Sequence, residues 1–429
     1  HPMTRLTRVD LATASEAEIR RLTRRSAVPD PNVRRRAAEI CEQVRERGDA
    51  AVSEIAQRVG GGFRRVTDSE MDRALARLDQ SVREALEAAI DAVAAFHRAQ
   101  LPEDLTVVTT PGVEITREWS PLRRVGAYVP GGKAAYPSSA VMTVVPARVA
   151  GVEEIVVASP EDPEDGVPTE LLAACRMAGA TEVWAMGGAQ AVAALAYGTE
   201  TVTPVDKIVG PGNAWVTAAK LEVFGICAID LPAGPSEVLV LADGEADPRL
   251  VAADLLCQAE HGPDSPAVLV TTDEALAAAV EREIERLLPE LERSEILGKA
   301  LADHGTVAVA PDMETAVGFA NDYAAEHVTI LTADPESLAP RLTAAGSVYV
   351  GRWSPESAGD YATGANHVLP TGGLAAACGP LSTDDFGSWR QVQRLDRAGL
   401  EAIAPTISAL ATAEGLTAHR LAATIRLEE

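Results

Sequence analysis

The sequence has few cysteines and lacks a long apolar run. No stretch of about 18 apolar residues occurs, so no membrane-spanning helix is expected. The cysteines are odd in number and widely spaced, without a CxxC pair, which excludes a disulfide framework and a cysteine zinc site. This usage favours a reducing, cytoplasmic location. The five cysteines are Cys41, Cys175, Cys227, Cys257 and Cys378.

Positive charge is also scarce. Lys and Arg number 38 against 63 Asp and Glu, which gives a formal net charge of -25. Because no basic stripe offsets this excess, nucleic acid is not an expected partner. The acidic charge would suit a cationic substrate or serve solubility alone. A nicotinamide dinucleotide is itself an anion, so net charge does not decide the ligand.

The pattern of apolar residues predicts an α/β protein with two or more domains in 429 residues. Residues 15–100 follow helical spacing. Beyond them, short apolar strands alternate with Ala-rich helices, which is typical of βαβ units and parallel sheets. Residues 231–243 form a hinge into a second such unit. The predicted strands are 124–129, 154–158, 182–185, 206–209 and 227–230, then 237–241, 267–271, 306–310, 327–331 and 347–350.

Three of the predicted strand ends are rich in glycine. They read YVPGGK at 128–133, MGGAQA at 186–191 and VGPGNAW at 209–215. Glycine lets the backbone approach a phosphate closely, and a following helix N-terminus offers free N–H groups to an anion. Neither a GxGxxG nor a Walker pattern is present. Two interpretations therefore stay open, a nucleotide or phosphate site and a set of plain strand-to-helix turns.

Residues 354–371, SPESAGDYATGANHVLPT, form a long polar stretch. They combine Glu356, Asp360 and His367 without helical or strand periodicity. Apolar residues within the stretch and the absence of low-complexity bias argue against disorder. A long functional loop is therefore predicted here.

Two further clusters carry histidine. Gln258 and His261 end a predicted helix at 248–261, where they would project from one face and either bind a metal or form an ordinary polar helix end. Glu326 and His327 are adjacent where a predicted helix gives way to a strand. Side chains of neighbouring residues diverge in an extended segment, so these two are predicted to act as separate proton acceptors.

A last polar cluster lies near the C-terminus, where Glu414 and His419 flank the junction of two predicted helices. Together the clusters predict a metal site of histidine and carboxylate ligands. His97 is instead predicted to be a hydrogen-bonded or solvated histidine, and His304 a surface residue.

Six of these motifs, in the same order, closely resemble those of the histidinol dehydrogenases. They are GPGNAWVTAAK, PAGPSEVLV, CQAEHGPDS, NDYAAEH, SPESAGDYATGANHVLPT and AEGLTAH. The resemblance extends over essentially the whole chain. It implies a zinc-dependent and NAD-dependent enzyme that oxidises L-histidinol through L-histidinaldehyde to L-histidine, in the last steps of histidine biosynthesis, with reduction of two NAD+.

The resemblance also implies roles for individual residues. Glu326 and His327 correspond to the catalytic bases. The resemblance implies one Zn2+ per subunit, whose ligands also contact the substrate. Further residues contact only the substrate or only NAD+. The implied metal ligands, which also contact substrate, are Gln258, His261, Asp360 and His419; the other substrate contacts are Ser236, His327, His367 and Glu414; the NAD+ contacts are Tyr128, Gln190 and Asn213.

The implied fold has two Rossmann-like parallel-sheet domains in an arrangement like that of aldehyde dehydrogenases, with helical arms at both ends. Its expected parts are an arm at 1–25, a split catalytic domain at 26–127 and 237–380, an NAD-binding domain at 128–236 and an arm at 381–429. The last arm is expected to cross to the partner of an intertwined homodimer with shared active sites. The alternatives are a related zinc and NAD dehydrogenase of another small polar alcohol, a metal-binding module with a decayed active site, and a phosphate-binding protein.

Overall fold

A computed structural model describes residues 6–131 and 135–428, and within them the chain forms three sheets. The strands are β1 (Thr7–Asp10), β2 (Phe63–Arg65), β3 (Leu105–Thr110), β4 (Val113–Pro121), β5 (Arg124–Tyr128), β6 (Glu154–Ser159), β7 (Glu182–Met186), β8 (Lys207–Val209), β9 (Ala228–Ile229), β10 (Val238–Ala242), β11 (Ala267–Thr271), β12 (Gly305–Val309), β13 (His327–Leu331), β14 (Ser347–Val350) and β15 (Gly387–Leu395).

Helices cover the two larger sheets and form the C-terminal end. They are α1 (Glu16–Thr23), α2 (Pro31–Arg47), α3 (Asp49–Val59), α4 (Asp68–Arg77), α5 (Gln80–Arg98), α6 (Pro137–Ala150), α7 (Thr169–Ala178), α8 (Gly188–Tyr197), α9 (Ala214–Val223), α10 (Pro248–Ala259), α11 (Glu274–Leu287), α12 (Ser294–His304), α13 (Met313–Tyr323), α14 (Pro335–Leu338), α15 (Glu356–Tyr361), α16 (Arg397–Ala413) and α17 (Thr417–Thr424).

The first six-stranded sheet has the order β2-β7-β6-β5-β8-β9, and only β2 in it runs antiparallel to its neighbour. Its strands are almost wholly apolar because helices cover both faces, as parallel sheets require. The chain reverses its direction of travel across the sheet between β7 and β8. The crevice at the carboxyl end of β5 is therefore a topological switch point, where such sheets bind ligands.

The second six-stranded sheet has the order β1-β12-β11-β10-β13-β14, with every strand parallel. Val238, the first residue of β10, lies opposite His327, the first residue of β13. The amino ends of these two strands are thus level. This register brings residues just before them, Glu237 and Glu326, side by side. The two predicted parallel sheets are confirmed, but their edge strands β1 and β2 lie in segments that were predicted to be helical, 1–25 and 15–100, and those two predictions were wrong at 7–10 and 63–65.

A three-stranded antiparallel sheet, with the order β15-β4-β3, was not predicted. β3 and β4 form a hairpin across Gly112, whose φ of +82° suits glycine and whose Cβ position is occupied by Asp396. β15 then pairs with β4 along its whole length. The 381–429 segment is therefore a strand followed by helices, and its prediction as a purely helical arm was wrong at 387–395.

Packing also corrects the grouping of residues 26–127 with 237–380. Helices α2 to α5 pack against the first sheet, and β2 extends it. The second sheet instead gains β1 at its edge, and Ile19 and Leu22 of α1 pack on its core. Sequence order gave no sign of this exchange, because an amphipathic helix does not specify which apolar surface it covers.

The lengths of the helices and the state of the cysteines agree with the sequence. Throughout 6–131 and 135–428, every helix is too short or too polar to cross a lipid bilayer. All five cysteines carry free thiols, as their spacing predicted.

Candidate active site

The pair Glu326 and His327 lies at the amino end of β13. Contrary to the expected divergence, Glu326 Oε2 lies 3.5 Å from His327 Nδ1. The reason is local. Ala324 ends α13 in the left-handed conformation (φ +50°), and the following turn brings Glu326 over the start of the strand. The two groups are buried, at 6% and 2% exposure.

Glu326 is held from one side by the segment before β10. Its Oε2 accepts hydrogen bonds from Ser236 Oγ at 2.7 Å and from the backbone N–H of Glu237 at 2.9 Å. Burial raises the pKa of Glu326 to about 8, although the bonds from Ser236 and Glu237 act in the opposite direction. A carboxyl group with a pKa near neutrality is suited to accept and release a proton during catalysis.

His327 has a fixed orientation and one free ring nitrogen. Its Nδ1 lies 3.0 Å from the backbone oxygen of Glu237, which can only accept, so Nδ1 carries the proton in the neutral ring. Its Nε2 is buried and has no hydrogen-bond partner in the described part of the chain. Burial lowers the pKa of His327 to about 4. The neutral ring therefore presents an unprotonated Nε2, 3.9 Å from Asp360 Oδ1.

Three potential metal ligands converge beside this pair. Ligand atoms of His261, Glu356 and Asp360 lie within 4.8 Å of one another. His261 follows the end of α10, which stops at Ala259, two residues earlier than predicted. Its Nδ1 faces the backbone oxygen of Gln258 at 3.2 Å, which leaves Nε2 as the nitrogen able to bind a metal.

Gln258 and Glu356 carry further buried polar atoms that have no hydrogen-bond partner among the described residues. Gln258 is fully buried, and neither its side-chain oxygen nor its nitrogen has a partner in residues 6–131 and 135–428. Both carboxylate oxygens of Glu356 are likewise buried without a hydrogen-bond partner in the same described ranges. Burial and the nearby Asp360 raise the pKa of Glu356 well above its usual value. Buried polar groups are costly without partners, so this donor set fits a bound cation.

The 354–371 segment is not a loop throughout. Residues 356–361 form α15, which places Glu356 and Asp360 one turn apart on the same face. From Ala362 to Gly373 the chain forms no helix or strand, and it runs from the second six-stranded sheet to the helices that cover the first. Asn366 Nδ2 donates to Met142 O at 2.9 Å on α6 and lies 3.2 Å from His97 Nε2. His97 is thus a buried, hydrogen-bonded histidine, one of the two outcomes predicted for it.

His367 belongs to this same connecting segment. Its Nδ1 faces the backbone oxygen of Asp360 at 3.1 Å, so Nε2 is again the free nitrogen. Burial lowers the pKa of His367 to about 4. Three histidines of the site therefore share one arrangement, in which a backbone carbonyl holds Nδ1 and leaves Nε2 available. They are His261, His327 and His367.

Two predicted site residues are not brought to the cluster within one chain. Glu414 and His419 lie exposed at the junction of α16 and α17, and the metal-ligand cluster of the described residues does not include His419. Gly415 between them has a φ of +72°, which makes the turn between the helices. His304 is exposed, as predicted.

The three predicted NAD+ contacts follow carboxyl ends of strands in the first sheet. Tyr128 ends β5, and its hydroxyl accepts from the N–H of Gly188 at 3.1 Å. Gln190 is buried in the first turn of α8, and Asn213 caps α9 by accepting from Trp215 N–H at 3.0 Å. In the first of the predicted glycine-rich turns, Gly132 and Lys133 lie outside the described residues.

Two of the glycine-rich turns pack too closely against neighbouring protein atoms to accommodate a larger residue. A Cβ at Gly210 would lie 2.2 Å from the backbone oxygen of Tyr128, and one at Gly131 would lie 2.7 Å from Ser159 Oγ. That hydroxyl is buried and lacks a hydrogen-bond partner among the residues described. These features sit at the switch point of the sheet and fit a dinucleotide.

Sequence analysis assigned no role to three residues that the fold brings to the site. The sequence does contain a signal for Glu356, because it lies four positions before Asp360, the spacing that places two side chains on one face of a helix. Glu237 follows Ser236 in the PSEVLV motif and contacts both Glu326 and His327. Arg25 reaches Glu237 from a position 212 residues away, and no feature of its local sequence indicates this contact.

Comparisons with known proteins support the assignment suggested by the motifs. A profile described as Histidinol dehydrogenase matches residues 23–427. A histidinol dehydrogenase of Halobacterium salinarum is 49% identical over 401 residues, covering 92% of this chain and 94% of that protein. A crystal structure of histidinol dehydrogenase from Elizabethkingia anophelis superposes with a TM-score of 0.93 at 35% identity, covering 100% of this chain and 99% of the other.

A more distant likeness concerns the fold alone. An NAD-dependent aldehyde dehydrogenase from Sinorhizobium meliloti superposes with a TM-score of 0.50 at 14% identity, over 89% of this chain and 88% of that one. It agrees with the predicted aldehyde-dehydrogenase-like arrangement of the two sheets. The profile match, the identity and the shared structure together place this chain in the histidinol dehydrogenase family.

Proposed function

We propose that the chain oxidises L-histidinol through L-histidinaldehyde to L-histidine, at the end of histidine biosynthesis, with reduction of two NAD+ per substrate. Family membership supports the reaction. The observation that carries the site assignment is the meeting of the buried pair Glu326 and His327 with the cluster of His261 and Asp360. A four-electron oxidation needs a base for each step and a water for the second, and this region supplies two separate bases.

A zinc ion is the proposed metal, one per subunit. Gln258, His261 and Asp360 would hold it from one chain, and His419 of the C-terminal segment would complete the set from the other subunit. When bound, zinc would act as a Lewis acid that orients the imidazole and amine of the substrate. The unmet polar atoms of Gln258 support this proposal, because an amide buried without partners is otherwise costly.

His327 is the proposed base for the alcohol proton. Its Nδ1 proton is committed to the backbone oxygen of Glu237, so the incoming proton can go only to Nε2. Burial keeps the ring neutral at ordinary pH, so the lone pair of Nε2 is free for this proton. When bound, NAD+ would supply the hydride acceptor for each of the two oxidations.

Glu326 is the proposed base for the second oxidation, in which the aldehyde must gain a water oxygen. Its carboxylate would take a proton from water as the oxygen adds to the aldehyde carbon, while His327 would return to the carbonyl oxygen the proton that it took in the first oxidation. Ser236 Oγ and the N–H of Glu237 fix Oε2, so that the other oxygen, Oε1, is the one available for water. His327 would then accept the proton of the hydrate hydroxyl as the second hydride leaves.

Binding roles follow for the remaining polar residues. Ser236, His367 and the other subunit's copy of Glu414 are proposed to contact the substrate together with His327. The free Nε2 of His367 supports this role, since its Nδ1 is already occupied. For NAD+, the proposed contacts are Tyr128, Gln190 and Asn213, at the switch point of the first sheet.

We propose that the chain works as a cytoplasmic homodimer whose C-terminal segments exchange. Large apolar side chains are exposed on β3 and on the C-terminal helices, including Val108 at 61%, Leu410 at 60% and Leu421 at 55%. Beside Asp360, Tyr361 is 63% exposed. Apolar surface of this kind is typical of a covered interface, and a second subunit would bury it while delivering Glu414 and His419.

The test is the number of NADH formed per L-histidinol consumed, before and after chelation and again after zinc is returned. We expect two NADH, a loss on chelation and recovery with zinc. One NADH would contradict the proposed role of Glu326. Undiminished turnover in metal-free protein would contradict the zinc site.

A further inference from the structure

A buried ion pair lies directly behind the proposed catalytic pair. Arg25, which follows α1, donates from Nε to Glu237 Oε2 at 3.2 Å and from Nη2 to Glu237 Oε1 at 2.5 Å. The side chain of Glu237 is 2% exposed and that of Arg25 is 17% exposed. This two-point contact fixes the plane of the carboxylate, as arginine forks do.

Glu237 contacts both catalytic residues. Its N–H donates to Glu326 Oε2 at 2.9 Å, and its own Oε1 accepts from the backbone N–H of Glu326 at 3.3 Å. Its backbone oxygen faces His327 Nδ1 at 3.0 Å. One residue thus binds Glu326 at the main chain and at the side chain, and sets the tautomer of His327.

Arg25 is itself fixed by the segment that leads to the catalytic pair. Its Nη1 donates to the backbone oxygens of Tyr323 at 2.6 Å and of Thr23 at 3.0 Å. The guanidinium lies over the ring of Tyr323, 3.4 Å from its centroid. Tyr323 ends α13, three residues before Glu326. Arg25 therefore joins the turn that carries Glu326 to the strand that carries Glu237.

The cost of such a pair indicates a role beyond holding the fold together. Two charges taken out of water often stabilise a protein no more than well-packed apolar residues of the same volume. A rigid, two-point ion pair does, however, define geometry. We propose that Arg25 and Glu237 are positioning residues, which hold the Glu326 carboxylate where it can activate water for the aldehyde step.

The two catalytic residues should depend on this pair to different extents. Glu326 lies in a turn outside the strand ladder and is bound by the Glu237 carboxylate. His327 is bound by the backbone oxygen of Glu237 and by the β10–β13 pairing, which Arg25 does not touch. Loss of Arg25 should therefore impair the second oxidation more than the first. The proposal rests on the catalytic roles given above to Glu326 and His327.

The test compares Arg25→Ala with the wild type in the full-length, zinc-loaded protein, using L-histidinol and L-histidinaldehyde as separate substrates. We expect kcat for the aldehyde to fall about 10- to 100-fold, as a displacement of about 1 Å at a reacting group can cause. Zinc content and KM for L-histidinol should stay as in the wild type. The matched control is Arg24→Ala, because the neighbouring Arg24 is exposed.

Chemical rescue separates positioning from general destabilisation. Millimolar guanidinium should restore aldehyde oxidation in Arg25→Ala, whereas sodium at equal ionic strength should not. Should Arg25→Ala fail to fold, Arg25→Lys and Glu237→Gln carry the test, and both should lower aldehyde oxidation selectively. In a double-mutant cycle, Arg25→Ala and Glu237→Gln together should cost no more than the larger single effect, because they remove the same contact.

Two results would overturn the proposal. One is an equal loss for both substrates without guanidinium rescue, and the other is unchanged aldehyde oxidation in Arg25→Ala. Glu326→Gln distinguishes this failure from a failure of the catalytic assignment. If Glu326→Gln abolishes aldehyde oxidation while Arg25→Ala leaves it intact, only the positioning role is refuted; if Glu326→Gln is also active, the catalytic role fails first.

Discussion

Glu326→Gln is the substitution that isolates one step of the reaction. Gln has the shape of Glu, and its amide oxygen can still accept from Ser236 Oγ and from the N–H of Glu237, which now bond Oε2 at 2.7 and 2.9 Å. What it removes is the ability to take a proton. His327 keeps its bond to the backbone oxygen of Glu237. The first oxidation should therefore continue while the second stops.

The expected size follows from the role of a general base. Such a group contributes about 10²- to 10⁴-fold to a proton transfer, which corresponds to about 3–5 kcal/mol of barrier. The pH dependence should change as well. In the wild type, aldehyde oxidation should rise with pH as Glu326 ionises, because burial raises the pKa of this carboxyl, and in the variant this rise should disappear.

Stability provides an independent check on the same side chain. The pKa of Glu326 is raised in the folded state, so folding becomes less favourable as pH rises from the ordinary value of about 4.5 towards 8. The neutral amide avoids this cost. Zinc-free Glu326→Gln should thus be more stable than the wild type at pH 9, by at most about 5 kcal/mol, and no more stable at pH 4.

The assay is NADH formed per L-histidinol, with L-histidinaldehyde trapped and measured. The variant should give one NADH and release the aldehyde. Two NADH per substrate at an undiminished rate, with the pH dependence intact, would refute the assignment of Glu326 as the base for water.

Three further predictions concern other parts of the molecule. Burial raises the pKa of Asp254 to about 7, so the folded state loses stability as pH rises from 4 to 7. In urea titrations, Asp254→Asn should therefore have a free energy of unfolding about 2–4 kcal/mol higher than the wild type at pH 8 and equal to it at pH 4. Mixed dimers of Glu326→Gln and His419→Ala chains should regain about a quarter of the wild-type rate of aldehyde oxidation, because one shared site is intact in each heterodimer; no recovery would exclude a shared site. Lys220→Met removes the ammonium that donates to Gly210 O at 2.9 Å, and should raise KM for NAD+ about tenfold at unchanged KM for L-histidinol; an unchanged KM for NAD+ would refute this.

The sequence predicted the two parallel sheets well, because buried strands leave a strong signal. Three of the ten predicted strands have the bounds seen in the structure, and the others are within one residue or two at each end. The apolar runs are short, contain many β-branched residues and are bounded by glycine or proline, so helix and strand are easily distinguished. The site clusters at 258–261, 326–327 and 360–367 were found because polar groups interrupt these patterns.

What escaped prediction has no local pattern. The six residues of α15 include Gly359 and span less than two turns, too few for helical periodicity. β15 is largely exposed and polar, and pairs with a hairpin that lies far away in the sequence. The contact between Arg25 and Glu237 depends on how α1 lies on the second sheet. Such long-range geometry follows from packing, which single-sequence patterns do not encode.

The place of β1 at the edge of the second sheet also sets an order of events during synthesis. Arg25 and Tyr323 are 298 positions apart, and β1 pairs with β12, a strand equally distant in the sequence. At about 5–20 residues per second, a ribosome needs roughly 15–60 s to supply those partners. The first sheet can form in the meantime, while the N-terminal strand waits with its backbone unpaired. In a nascent chain, β1 should therefore stay open to chaperones long after this strand has left the ribosome.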